Sequence, residues 1–230
     1  MVQSLKDFEL FAKLSDELDA RYAAQCVTRK FEPNEIVVDF EDETQDVHLI
    51  VSGTVRIIYR ITTGREIILN AARDGMIFGE IAAIDGLPRS ANVTVIQPAR
   101  IATLSRAAFL EILQQSPEVS YDVMLLLVGR IRLLTTKIAE NSFLHLKFRL
   151  YNELMRMARP RAGHEGEWIV SPPPTQLELA ERIGCRRESV SLEIGRMRRE
   201  GLVEKLRGGL VLKDVGELNR RVMAGWEETG

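Results

Sequence analysis

Apolar residues near the start of the chain fall at helical spacing. Leu5, Phe8, Leu10, Phe11, Leu14 and Leu18 predict short amphipathic helical pieces over residues 4–26. From about residue 31 to residue 105 the texture changes to short β-type runs, predicting strands at Ile36–Asp39, Val47–Val51, Thr54–Arg60, Glu66–Ala71, Ala91–Gln97 and Ile101–Ser105. Ser52-Gly53, Thr63-Gly64, Asp74-Gly75 and Asp85-Gly86-Leu87-Pro88 separate them as turns. Many short strands with glycine at the corners predict a small antiparallel barrel or roll. The helical period returns after Ser116-Pro117 and runs from about Glu118 to Glu140. Along it Met124, Leu127, Ile131, Leu134 and Ile138 alternate spacings of three and four, a heptad seam. Such a narrow seam on a long helix predicts a homodimer, with Asn141 as a polar extension. The alternative packs the helix on its own domain through Leu125, Leu126 and Leu133.

A further helix is predicted over Leu144–Arg159, then a turn-rich stretch from Pro160 to Gly166 and a stop at Pro172-Pro173-Pro174. Thr175-Gln176-Leu177-Glu178 has the capping-box order, Thr at the N-cap and Glu three residues on. The helix it opens buries Leu179, Ala180 and Ile183, and small Ala180 lets a second helix cross close by. Gly184 allows the sharp turn. The second helix begins near Arg186, buries Val190, Ile194 and Met197 and stops at Glu200-Gly201. Leu202-Val203, the basic turn Lys205–Gly209 and Leu210-Val211-Leu212 resemble a two-stranded wing. These offsets form a helix-turn-helix pattern. Its second helix offers Arg186, Arg187, Glu188, Ser189, Ser191 and Leu192 to a major groove, and Thr175 and Gln176 open the first helix beside it. Arginine can grip guanine O6 and N7, and glutamate can accept from cytosine N4. The alternative is an ordinary solvated helix pair. The organisation is thus α+β: an antiparallel roll over 1–117, a long helix and hinge over 118–142, and a winged helix-turn-helix over 143–230.

Composition narrows this picture without changing it. The 230 residues carry a net charge of -2, so a DNA surface must come from local placement of Arg and Lys, offset by acid elsewhere. Cys26 and Cys185 sit in no metal-ligand spacing, which argues against zinc or an iron–sulfur cluster and predicts a protein without metal. A haem would need a partner ligand motif that His48 and His145 lack, so both read as packing or surface residues. The amino terminus lacks the apolar core of a signal peptide, and Val123 to Val128 is too short to span a bilayer. A cytoplasmic protein is expected, with no membrane contact. No Ser/His/Asp arrangement, metal motif or nucleotide-hydrolysis loop supports an enzyme.

Within the roll, Phe78-Gly79-Glu80-Ile81-Ala82 is followed by Arg89-Ser90-Ala91. A phosphate site needs exposed backbone N–H groups at a helix start and a cation. Gly79 to Ala82 can supply the first, and Arg89 with the Ser90 hydroxyl the second. Glu80 beside an anion makes sense if it accepts from a sugar hydroxyl; otherwise Glu80 and Arg89 form a plain ion pair on a loop.

Roll, long helix and winged helix-turn-helix in this order resemble the CRP/FNR superfamily over nearly the whole chain. Gly79-Glu80-Ile81-Ala82 with Arg89-Ser90-Ala91 resembles the phosphate-binding cassette of its cyclic-AMP-binding branch. The resemblance implies a cyclic-nucleotide-binding roll in which Glu80 holds the ribose 2′-hydroxyl and Arg89 and Ser90 the cyclic phosphate. Gly79 and Ala82 would shape the cassette and Ala91 follow the phosphate contact. It further implies a cAMP-responsive regulator of transcription reading palindromic double-stranded DNA, with RNA polymerase as a partner. Thr135 falls where a hydroxyl residue reaches the base across the dimer. Leu134 replaces a second hydroxyl, so looser adenine specificity is expected, with cyclic GMP as a second ligand. Arg187 and Glu188 match the family's Arg-Glu-x-x-x-Arg, but Leu192 stands at the last position. Leucine cannot donate to guanine but can touch a thymine methyl, so the half-site should keep the outer TGT of the family's TGTGA and relax the next G. Three rivals remain: another effector, ligand-independent DNA binding, and a cyclic-nucleotide module regulating an enzyme. The DNA reader argues against the last. Leu218, Val222 and Trp226 predict a terminal helix packed on the DNA-binding domain.

Overall fold

Two long strands dominate the first half, where the sequence pattern predicts four short ones. The computed structural model describes residues 2–61 and 64–228; the predicted turn residue Thr63 lies outside them. Strands β1 (Val27–Phe31), β2 (Ile36–Val38), β3 (Val47–Arg60), β4 (Glu66–Arg73), β5 (Ile77–Phe78) and β6 (Asn92–Leu104) form one antiparallel sheet of order β1-β6-β3-β4. β2 also pairs with β6, and β5 with β3.

The predicted runs on either side of Ser52-Gly53 are therefore one strand, as are those on either side of Pro98. Gly53 marks an irregularity in the ladder rather than a reversal: the register shifts between Ser52↔Arg100 and Thr54↔Gln97. At φ +100° a Cβ on Gly53 would lie 2.5 Å from the Pro98 carbonyl oxygen, so the two backbones can approach only with glycine there.

Helix α1 (Asp16–Ala23) follows two 3-10 turns, Leu5–Asp7 and Glu9–Phe11, which account for the predicted amphipathic pieces. Helix α2 (Glu80–Asp85) separates β5 from β6, and α3 (Arg106–Gln115) follows β6. β1, β5 and α3 lie outside the predicted runs. α3 is started by Ser105, whose hydroxyl accepts from the Ala108 N–H at 3.3 Å. The long helix α4 spans Pro117–Phe143, slightly beyond its predicted ends.

The chain divides into two compact units, Met1–Ile131 and Arg132–Gly230, a boundary inside α4 rather than at its end. In the first unit, one core joins the 3-10 turns, α1, α3 and the start of α4 through Leu5, Phe11, Tyr22, Phe109, Val119 and Val123. A second fills the roll with Ile50, Val55, Phe78, Val95 and Ile101.

The second unit contains α5 (Leu146–Met157), β7 (Arg159–Pro160), β8 (Trp168–Val170), α6 (Gln176–Ile183), α7 (Arg187–Arg199), β9 (Val203–Leu206), β10 (Gly209–Leu212) and α8 (Val215–Glu227). Its sheet runs β7-β8-β10-β9, so the predicted two-stranded wing is the outer hairpin of a four-stranded sheet. The core draws on Leu150, Tyr151, Leu179, Ala180, Val190, Met197, Leu212, Leu218 and Val222, and the predicted terminal helix α8 packs within this unit against α5. Among the described residues, no helix is long and apolar enough to cross a membrane.

Candidate ligand cassette and nucleic-acid interface

The cassette forms where β5 ends and α2 begins. Gly79 is the N-cap of α2 at φ +88°, a left-handed conformation that costs other residues about 1–2 kcal/mol. A Cβ there would lie 2.6 Å from Arg89 Nη1 and 2.8 Å from the Asp46 carbonyl oxygen. Glycine is thus required twice over, by the backbone angle and by the close approach of Arg89.

Glu80, the first residue of α2, is 0% exposed. Its Oε1 accepts from Arg130 of α4, while Oε2 is buried with no hydrogen-bond partner. Burial pushes the carboxyl pKa up, and the Arg130 charge pulls it back toward ionisation. An orphaned carboxylate oxygen in a dry site costs free energy unless something donates to it.

Arg89 is 3% exposed, a deeply buried cation. Nε donates to Thr44 Oγ1 at 3.1 Å, Nη1 to the Gly79 carbonyl at 3.3 Å and Nη2 to the Asp46 carbonyl at 2.9 Å. Burial lowers its pKa, opposed by the charges of Asp46, Asp42 and Glu80. Ser90 is exposed beside it, Ala91 is half-buried, Ala82 is buried and Ile81 is exposed on α2. Gly79, Glu80 and Arg89 therefore lie together, but not as the plain loop ion pair: Glu80 pairs with Arg130. Sequence reasoning misses Arg130, Thr44 and Asp46. The signal available for Arg130 was its place one helical turn before Leu134. Leu134 and Thr135 are exposed on α4, on the other side of the unit boundary from the cassette.

The seam of α4 differs from prediction at one position. Met124, Ile131, Leu134 and Ile138 are exposed, Ile131 at 63%. Leu127 is half-buried and packs against the core of its own unit, and Leu126 and Leu133 are half-buried too. The exposed residues that keep heptad spacing are Tyr121, Met124, Val128, Ile131, Thr135 and Ile138. Leu125 of the alternative face is exposed, at 51%; the inward face is instead made by Val119, Val123 and Leu127, which the α-helical period brings to one side.

At the helix-turn-helix, Thr175 Oγ1 accepts from the Glu178 N–H at 3.1 Å, and the Glu178 carboxylate accepts from Arg182 at 3.0 Å. Gly184, at φ +64°, closes α6. Arg186 is the N-cap of α7. Arg186, Arg187, Glu188, Ser191 and Leu192 are exposed, Leu192 at 76%, while Gln176 and Ser189 are half-buried and Thr175 is exposed. Several arginines of this unit are tied to acids, among them Arg182 to Glu178, Arg196 to Glu200 and Arg221 to Glu217. Among the described residues no ion pair holds Arg186 or Arg187. The first turn of α7 thus presents two guanidinium groups without an ion-pair partner among the described residues. Lys205 and Arg207 are exposed at the wing hairpin. Among the described residues no group of three or more His, Cys, Asp or Glu could hold a metal ion.

Comparison with known proteins matches residues 28–116 to the cyclic nucleotide-binding domain and residues 148–221 to the Crp-like helix-turn-helix domain. The chain is 27% identical over 209 residues to the CRP-like cAMP-activated global transcriptional regulator of Mycobacterium tuberculosis, covering 86% of this chain and 92% of that protein. It is 22% identical over 170 residues to the cAMP-activated global transcriptional regulator CRP of Escherichia coli O157:H7, covering 74% and 81%. The structure of a CooA variant from Carboxydothermus hydrogenoformans superposes with a TM-score of 0.78 at 20% identity, covering 94% of this chain and 95% of that one, a likeness of fold.

Proposed function

The chain belongs to the CRP/FNR superfamily of DNA-binding transcription regulators, and we propose that it works as a homodimer whose affinity for a palindromic operator is set by cAMP bound in the roll. The observation that carries the ligand half of this reading is Glu80 Oε2, buried and without a partner at the mouth of α2. A ribose 2′-hydroxyl is a neutral donor that satisfies it, with Arg89 and Ser90 next to it for the single negative charge of a cyclic phosphate. The named relatives are cAMP-activated, which favours adenine as the base. Thr135 supplies a hydroxyl to that base from α4. Leu134 supplies none, so cyclic GMP competes better here than where both positions are polar.

The exposed heptad residues of α4 give the dimer its interface. Each α7 then enters a major groove with Arg187 on guanine and Glu188 on cytosine, while Leu192 reads a thymine methyl. Ligand acts by differential binding: the conformer that completes Glu80 and Arg89 is also the one that spaces the two α7 helices for successive grooves. RNA polymerase in the cytoplasm is the partner such a regulator addresses.

Fluorescence anisotropy of a labelled TGT-type palindrome, with and without saturating cAMP, tests the reading. Tightening by tenfold or more on adding cAMP, lost in Glu80→Leu, is the expected result. Equal DNA affinity with and without nucleotide would contradict it.

A further inference from the structure

We propose that His48 is a positioning residue for Arg89, holding the guanidinium through a bare Nε2; this rests on the reading that the cassette takes a cyclic phosphate. β3 lays the His48 ring on Phe78, with centroids 4.9 Å apart and planes inclined by 25°. Its Nε2 lies 3.5 Å from Arg89 Nη2, and its Nδ1 lies 3.3 Å from Thr103 Oγ1. A guanidinium nitrogen can only donate, so Nε2 carries the lone pair and the ring proton sits on Nδ1, donating to Thr103. Burial, reinforced by the Arg89 charge, pushes the imidazole pKa down to about 4, so the ring is neutral in the physiological range.

Donor accounting at Arg89 shows what this accomplishes. Of the five guanidinium hydrogens, one goes from Nε to Thr44, one from Nη1 to the Gly79 carbonyl, and both on Nη2 to the Asp46 carbonyl and His48. The remaining hydrogen is on Nη1, the nitrogen beside the N-cap of α2 where the phosphate is expected. Arg89 therefore offers a cyclic phosphate one N–H from a guanidinium already fixed in its plane, rather than a free fork. His48 closes the only side of Nη2 that the Asp46 carbonyl leaves open.

The test titrates wild type, His48→Phe and His48→Gln with cAMP by calorimetry. Phenylalanine keeps the stacking on Phe78 but has no lone pair; the glutamine Oε1 can stand where Nε2 stood. His48→Phe should weaken cAMP about tenfold, the low end for a long hydrogen bond to a charged group, and His48→Gln should stay within about threefold of wild type. In an Arg89→Lys background, adding His48→Phe should change affinity no further, whereas a merely structural role would weaken both backgrounds alike. A ligand-independent readout separates this inference from the effector reading. The Arg89 Nε–H resonance should exchange slowly in wild type and His48→Gln and quickly in His48→Phe. If wild type takes no cAMP but this pattern holds, the effector reading fails and the assignment of His48 stands. An Arg89 signal unchanged in His48→Phe overturns the assignment.

Discussion

Replacing Gly79 by alanine perturbs the cassette at its tightest point. Two separable costs follow from the geometry. Holding an L-residue at φ +88° costs about 1–2 kcal/mol. The new Cβ, 2.6 Å from Arg89 Nη1 and 2.8 Å from the Asp46 carbonyl, must also displace Arg89, loosening its bonds to the Gly79 and Asp46 carbonyls. Weakening hydrogen bonds from a buried cation adds about 1.5–3 kcal/mol, so the total is about 2.5–5 kcal/mol. Gly163→Ala is the control: φ is +75°, but nothing lies within 4 Å of the added Cβ, so only the backbone cost of about 1–2 kcal/mol applies. Both tryptophans, Trp168 and Trp226, lie in the second unit, so fluorescence follows that unit while far-ultraviolet circular dichroism also senses the roll. In urea titrations Gly79→Ala should shift the dichroism transition and leave the fluorescence transition in place, and Gly163→Ala should shift fluorescence modestly. A destabilisation by Gly79→Ala no larger than that by Gly163→Ala would refute the claim that Arg89 is packed against this glycine.

Other substitutions probe the remaining parts. In the proposed dimer Ile131→Glu puts like charges face to face on the exposed seam, and sedimentation should show a dimer for wild type and a folded monomer for the variant at micromolar concentration. Leu134→Thr adds a hydroxyl where the base is proposed to lie and should raise the cAMP-over-cGMP affinity ratio about tenfold by calorimetry; an unchanged ratio would count against the specificity argument. Leu192→Arg should move the selected half-site from TGT followed by a relaxed position to one demanding guanine there, read by selection from a random palindromic library. For His48 the folded pKa of about 4 lies below the unfolded value of 6.5, so the unfolded state binds the extra proton between them. Its contribution is fully present above about pH 6.5 and lost as pH falls toward 4, roughly 3 kcal/mol in all. The urea-derived stability of His48→Gln should lack that part of the slope.

Much of this site is legible in the sequence because its residues are adjacent there. Gly79-Glu80 and Arg89-Ser90 flank a single short helix, so local spacing already brought them together. The helix-turn-helix was legible for the same reason: Thr175, Ala180, Gly184 and Gly201 mark its caps and crossing within a short stretch. Contacts made by the sheet were not. His48, Thr44 and Asp46 reach Arg89 only because the start of β3 and the chain leading into it fold against the segment between α2 and β6, and a neutral half-buried histidine looks like any half-buried strand residue. Gly53 misled because the same residue that makes a turn also permits the close approach of β3 to the backbone at Pro98. Leu127 and Val128 are both apolar and adjacent, and which of them faces outward depends on what α4 packs against, not on heptad spacing alone.

The most direct test of the central claim is a calorimetric titration of nucleotide-stripped protein with cAMP, with Arg89→Leu alongside. The cassette described here predicts micromolar or tighter binding, abolished by the substitution, since a leucine leaves the phosphate with no cation and the Gly79 and Asp46 carbonyls with no donor. Absence of heat with wild type, or undiminished binding by Arg89→Leu, would contradict it and leave a DNA-binding regulator whose effector, if any, enters elsewhere.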